Sequence, residues 1–138
     1  MNSHETEALA RAALLSGRSL NDPEATPFGA VVIDPHGRLL AGRAGSATRH
    51  AEIDALESAA AARSDLVGCT LVLSAHPCSA CLEHASSLGI TRIVYALEGE
   101  PQRELPGLEL VQARPGPERH LCEVLAQRWA SSGAPSLA

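Results

Sequence analysis

The chain has 138 residues, enough for one domain with its own core and too few for two. With 45% apolar and 20% charged residues, the composition excludes wholesale disorder. Sixteen acidic side chains against eleven basic ones, all arginine, leave a net charge of −5 and argue against a protein held mainly by nucleic-acid phosphates.

Phe28, Tyr95 and Trp129 are the only aromatic residues, too few for a single-strand-binding surface built on stacked rings. No apolar stretch approaches the roughly 18 residues of a membrane span. Glu5, Glu7 and Arg11 interrupt the apolar core that a signal peptide requires. The expectation is a soluble cytoplasmic protein. In that setting the close pair Cys78 and Cys81 points to metal or catalysis rather than to a disulfide.

Along the chain, helix and strand signals alternate without a repeat. Asn2 and Ser3 can cap a first helix with Leu9, Ala12, Ala13 and Leu15 as its apolar stripe and Gly17 as its stop. Phe28 to Ile33 reads as a strand, and Leu39 to Ala41 as its short hairpin partner across "DPHG". A second helix is expected over His50 to Arg63, and a third strand over Cys69 to Ser74. Pro77 opens a third helix over Cys78 to Leu88, closed by Gly89. Thr91 to Leu97 is a fourth strand, Gly107 to Gln112 a fifth and Glu118 to Ser131 a last helix. This rhythm gives an α/β fold with one mixed sheet and helices on both faces, in a single domain over 1–131 with 132–138 as a flexible tail. About ten residues join strands four and five, marginal for a parallel crossover, so strand five can run either way.

The chemistry sits in "HAE" at 50–52 and "PCSAC" at 77–81. Cys78 and Cys81 are spaced i, i+3, which places both on one helix face. At a helix start, free N–H groups and the positive dipole end favour thiolate over thiol. Two sulfurs and the His50 imidazole are three ligands for zinc, which takes four, and an open fourth position marks a catalytic ion. Glu52 can then serve as the carboxylate that takes and returns a proton. One difficulty is that residues i and i+2 point about 200° apart on an ideal helix, so His50 and Glu52 converge only if the helix end meets the ion head-on.

Both motifs, in this order and on these elements, resemble the H-x-E…P-C-x-x-C signature of the zinc-dependent nucleobase and nucleoside deaminases, the cytidine and deoxycytidylate deaminase superfamily. "PFGAVVIDPHGRLLAGR" is similar to the first hairpin of that superfamily. "RHAEIDAL" resembles its guanine and tRNA adenosine deaminase branch. "LVLSAHPCSACLEHASSLGITRIVYAL" resembles its strand–helix–strand segment. The resemblance covers roughly 24–97. It implies a three-layer α/β/α sandwich with a five-stranded sheet, zinc held by His50, Cys78 and Cys81, proton transfer by Glu52, release of ammonia from an aminated ring, and a homodimer.

Three features depart from that branch. His76 stands where Glu usually precedes the Pro-Cys. The loop "GRAGSATR" is short and lacks the substrate-contacting Asn, leaving Arg43 or Ser46 to fill its place. The link between strands four and five is too short for the usual extra helix.

Candidate substrate contacts are Phe28, Arg43, Ala51, His76 and Trp129. Each also has a plain reading: core packing for Phe28 and Trp129, a solvated loop cation for Arg43 and Arg49, a turn cap for His76. Cys69 and Cys122 read as buried small apolar groups, and His84 as solvated or behind the ligands. A structural zinc would need a fourth protein ligand from His76, His84, Cys69 or Cys122. The acidic balance favours a small-molecule substrate, a guanine-like purine first and cytosine or cytidine next. Rival readings are a tRNA or single-strand deaminase and a non-catalytic zinc-binding pseudoenzyme.

Overall fold

A computed structural model describes residues 1–46, 48–99 and 105–131, so the tail at 132–138 lies outside the described residues. Five strands form one mixed sheet in the order β2-β1-β3-β4-β5. They are β1 (Ala25–Ile33), β2 (Leu39–Ser46), β3 (Thr70–Ala75), β4 (Arg92–Leu97) and β5 (Glu109–Gln112). The helices are α1 (Ser3–Ser16), α2 (Ala51–Ala62), α3 (Ser79–Ser87) and α4 (Pro117–Ser131). A short 3₁₀ turn, Gly17–Leu20, continues α1.

The strands read as near-continuous apolar runs because both faces of the sheet are covered. Alternate residues serve opposite layers. Val31, Val72 and Val94 pack with Ala8, Leu9 and Ala12 of α1 and Cys122 of α4. Val32, Leu71, Leu73 and Ile93 pack with Ala55 and Leu56 of α2 and Leu82 and Ala85 of α3. This is the expected α/β/α sandwich. Each buried Leu or Val contributes about 1.5–3 kcal/mol relative to leaving it in water. The α1 layer lies so close that a Cβ on Gly29 of β1 would collide with the Ala12 carbonyl oxygen.

α1 begins as its sequence predicts. Asn2 Oδ1 accepts from Glu5 N at 2.9 Å, and Asn2 N donates to Glu5 Oε1 at 3.0 Å, a complete capping box. Glu5 is 1% exposed and serves a second purpose. Arg92 of β4 donates to it twice, from Nε to Oε2 at 2.6 Å and from Nη2 to Oε1 at 3.0 Å, and also pairs with Glu109 of β5. One carboxylate thus ties the start of α1 to the parallel end of the sheet.

The elements are longer than their apolar cores suggest. β1 starts at Ala25, paired with Ser46, and β2 runs on to Ser46 instead of stopping at Ala41. β2 is an edge strand, so residues such as Gly42, Arg43 and Ala44 pair through their backbones without needing an apolar pattern on both faces. The direction of β5 is resolved: it runs parallel to β4, in register from Arg92↔Glu109 to Tyr95↔Gln112. The connection 98–108 makes this crossover with no helix among its described residues, and Leu105 and Leu108 pack it onto the α2/α3 layer.

The Glu5–Arg92 pair makes stability acid-sensitive. Burial raises the Glu5 pKa, but the Arg92 hydrogen bonds, the Asn2 N–H and the neighbouring positive charges outweigh it and hold the carboxyl below its ordinary value. A carboxyl depressed in the folded state contributes stability fully above its unfolded pKa of about 4.3 and loses it as pH falls through the lower native value. Glu5→Gln is expected to cost about 2 kcal/mol at pH 7 and to flatten the acid limb of stability below pH 4.3, read by urea melts across pH.

Candidate metal centre

The corner after β3 is set by Pro77. His76 N still donates to Leu97 O at 2.8 Å, continuing the β3–β4 ladder, but Pro77 has no N–H and the ladder ends there. Cys78 follows as the N-cap of α3, with an extended backbone (φ −78°, ψ 167°), and Cys81 lies in the first turn. On the neighbouring helix His50 is the N-cap of α2, again extended (φ −68°, ψ 138°), with Glu52 in the first turn. Neither N-cap side chain caps its helix. Both are turned toward each other instead.

This resolves the spacing difficulty. His50 precedes the helical residues, so the 100° per residue rule does not separate it from Glu52. α2 and α3 lie in one layer with their N-termini at the same place, and four side chains converge there. Cys78 Sγ donates to Cys81 Sγ at 2.9 Å, and Cys81 Sγ donates to Glu52 Oε2 at 2.9 Å. His50 Nδ1 stands 3.6 Å from each sulfur and 3.6 Å from Glu52 Oε2. All four donor atoms lie within 4.8 Å of one another. Cys81 and Glu52 are buried, Cys78 half-buried and His50 exposed, so the cluster has a closed floor and one open side.

The donor set suits zinc: two sulfurs, one imidazole and one carboxylate, with no further His or Cys in the group among the described residues. His76, His84, Cys69 and Cys122 are therefore not part of it. The 3.6 Å sulfur–nitrogen separations match the edge of a tetrahedron around zinc, about 3.6 Å, whereas the sulfurs at 2.9 Å are closer than the corresponding edge of about 3.8 Å. Electrostatics point the same way. Burial first, and then the Glu52 carboxylate and the Cys78 sulfur, push the Cys81 thiol well above its ordinary range. A buried thiol against a buried carboxylate is a place that calls for a cation.

The remaining candidates fall around this cluster or away from it. Ala51 is buried between the two motif residues at the first position of α2. His76 is half-buried at the corner, where its Nδ1 lies 2.9 Å from Pro77 O and its ring meets Tyr95 edge-on at 4.7 Å. Phe28 packs on the α2/α3 core. Arg43 is bound outward to α2, with Nη2 donating to Ser58 Oγ at 2.5 Å and Nε 3.7 Å from Asp54 Oδ2. Arg49 pairs with Asp54 at 3.1 Å and with Glu57. Trp129 is buried on α4, in the layer opposite α2 and α3. Cys69 and Cys122 are buried thiols as expected, while His84 leaves a buried Nε2 with no partner among the described residues.

Sequence reasoning missed Tyr95 and the pair Gly45 and Thr26. A Cβ on Gly45 would strike Thr26 Oγ1 and come within 3.5 Å of Ala51 N, so glycine lets β2 close against the start of α2. No motif signals that contact, because its partners lie on three elements.

The model of the cytidine and deoxycytidylate deaminase zinc-binding region matches residues 2–97. A tRNA(Ile)-lysidine synthase from Deinococcus deserti is 38% identical over 112 residues, covering 75% of this chain and 20% of the relative. A probable cytosine deaminase from Schizosaccharomyces pombe is 32% identical over 98 residues, covering 67% of this chain and 60% of the relative. The chain thus spans only part of the length of both curated relatives. Among solved structures, the guanine deaminase from Nitrosomonas europaea has the same fold, with a TM-score of 0.70 at 21% identity over 93% of this chain and 83% of that one.

Cys78→Ser and Cys81→Ser are each expected to abolish stoichiometric zinc binding, measured by metal content after dialysis against a weak chelator. The rise in melting temperature on adding zinc should disappear with it. The matched zinc-binding region and the converging His, Glu and two Cys place the chain in the cytidine and deoxycytidylate deaminase family, with Zn2+ as its metal.

Proposed function

We propose that the chain is a zinc-dependent aminohydrolase acting on a small aminated heterocycle, a guanine-like purine first and cytosine or cytidine second, with release of ammonia. The observation that carries this reading is the placement of Glu52: buried, 2.9 Å from one cysteine sulfur and 3.6 Å from the imidazole, at the floor of a cluster open on the His50 side. In this reading His50, Cys78 and Cys81 hold the zinc and Glu52 stays free of it. Bound zinc supplies Lewis acidity and a water of lowered pKa. Glu52 Oε2 takes a proton from the attacking water and delivers it to the exocyclic nitrogen, which leaves as ammonia while the ring carbon gains a carbonyl.

One observation supports a neutral base over a phosphorylated or polymeric substrate. The cations beside the site, Arg43 and Arg49, are both committed to carboxylates on α2, so neither is free for a phosphate. The guanine-like choice rests on the resemblance of "RHAEIDAL" to the guanine deaminase branch. Ala51, His76 and Phe28 are the side chains proposed to border that base. Trp129 sits in the opposite layer, which favours its core reading. The cytosine deaminase at 32% identity supports the second choice of ring. A homodimer in the cytoplasm belongs to the same reading, and sedimentation checks the assembly.

The test is ammonia release from amino-bearing bases, nucleosides and nucleotides by zinc-loaded protein. The expected result is turnover of a free base, guanine ahead of cytosine. In Glu52→Gln, kcat is expected to fall about 10²–10⁴-fold with zinc content unchanged. Retention of most activity in that variant would sink the assignment. Turnover of an adenosine in tRNA, with the base panel silent, would support the polynucleotide reading suggested by the synthase relative.

A further inference from the structure

A groove lies away from the metal cluster, between α1 and the open edge of β2. Its volume is about 560 Å³. Its lining has one sign of charge: Arg11, Arg18 and Arg43 contribute, and no Asp or Glu does, in a chain whose net charge is −5. Arg43 is held by Gly42 O, Ser58 and Asp54. The side chains of Arg11 and Arg18 have no hydrogen-bond or ion-pair partner among the described residues. Leu14, 70% exposed, stands between them on the same overhang, and Leu39, 48% exposed, faces it from β2. An apolar strip flanked by two unpaired guanidiniums is not a solvated surface of the ordinary kind.

The second observation is the edge itself. β2 pairs with β1 on one side only and is the terminal strand of the sheet. Its backbone from Ala41 to Gly45 carries a single bulky side chain, Arg43, which is drawn aside onto α2. An incoming strand therefore meets little side-chain bulk along this edge, with the Gly42 carbonyl, which accepts from Arg43, the one group it must take over. Arg11 and Arg18 are about 10 Å apart along the helical axis. Carboxylates two or four residues apart on one face of an extended chain are about 7 or 13 Å apart, within reach of two flexible arginines. A two-fold β2–β2 pairing between copies would bring two such arginine sets together, and like charges oppose it.

We propose that the α1/β2 groove is a docking site for an extended acidic segment of a partner protein, which adds as a strand to β2 and sets alternate carboxylates against Arg11 and Arg18. The partner's apolar residues cover Leu14 and Leu39. This site is independent of the deaminase reading.

The probe is a fluorescent, acetylated heptapeptide alternating valine and glutamate, followed by anisotropy on the full chain. Wild-type protein should bind it, more weakly at higher salt, and the β2 amides should gain protection from hydrogen exchange. The double variant Arg11→Ala/Arg18→Ala should bind at least tenfold more weakly with its melting temperature and any deaminase activity unchanged. As a second arm, Arg11→Glu/Arg18→Glu should lose that peptide and accept one alternating valine and lysine. Equal binding by wild type and both variants, or protection elsewhere than β2, overturns the proposal. So does protection of β2 in the free protein as a dimer, which would make the edge a self-interface. Binding of bulk tRNA but not the peptide, lost in the double variant, overturns it in favour of a phosphate surface.

Discussion

Everything at the metal centre depends on two neighbouring helices starting at the same place. An N-cap residue has an extended backbone and a side chain free to turn back over the helix start. Here both such positions carry ligand types, His50 and Cys78, and both side chains turn to the other helix instead of their own. The first-turn residues Glu52 and Cys81 complete the cluster from the same two ends. The positive ends of both helices favour anions at this point, while burial and the adjacent Glu52 carboxylate push the Cys81 thiol the other way. A dication held by His50, Cys78 and Cys81 would supply the positive charge that favours thiolate at this point.

That arrangement has a structural cost, and the rest of the fold offsets it. A missing N-cap side chain forgoes about 1 kcal/mol at each of α2 and α3. Neither helix is long, and both are held by burial: Ala55, Leu56 and Ala59 of α2 and Leu82 and Ala85 of α3 are each no more than 1% exposed. α1, which contributes nothing to the cluster, has the full capping box and the buried Glu5–Arg92 pair. Conventional stabilising devices are concentrated in the layer away from the chemistry. In the layer of the cluster, both cap positions carry ligand-type side chains that leave their helices uncapped.

The motif residues were legible because the chemistry leaves few choices of residue type, and because two short patterns each stay within one element. The element types were legible from apolar runs and from Asn2, Pro77 and Gly17. The extension of β2 to Ser46 was not, since an edge strand rich in Gly and Ala pairs by its backbone and leaves no alternating pattern. The direction of β5 was not either, because the rule on crossover length assumes a helix in the link, and here the link is packed by Leu105 and Leu108 without one in its described part. The roles of Arg43 and Arg49 were invisible for a different reason. They depend on which carboxylates lie a turn or two along α2, and a loop cation looks the same in sequence whether paired or free.

The placement of arginine divides the molecule into two kinds of surface. Beside the metal cluster each arginine is neutralised by Asp54 or Glu57, so the field at the open side comes from the helix ends and the ligands, and a phosphate gains little there. Between α1 and β2, Arg11 and Arg18 stand without such partners beside exposed leucines, and no Asp or Glu lines the groove. Pairing a charge or leaving it unpaired is set by neighbours on adjacent elements, and it decides selectivity more than the net charge of −5 does. A chain acidic overall can thus hold paired arginines beside its metal cluster and, on another edge, leave Arg11 and Arg18 unpaired.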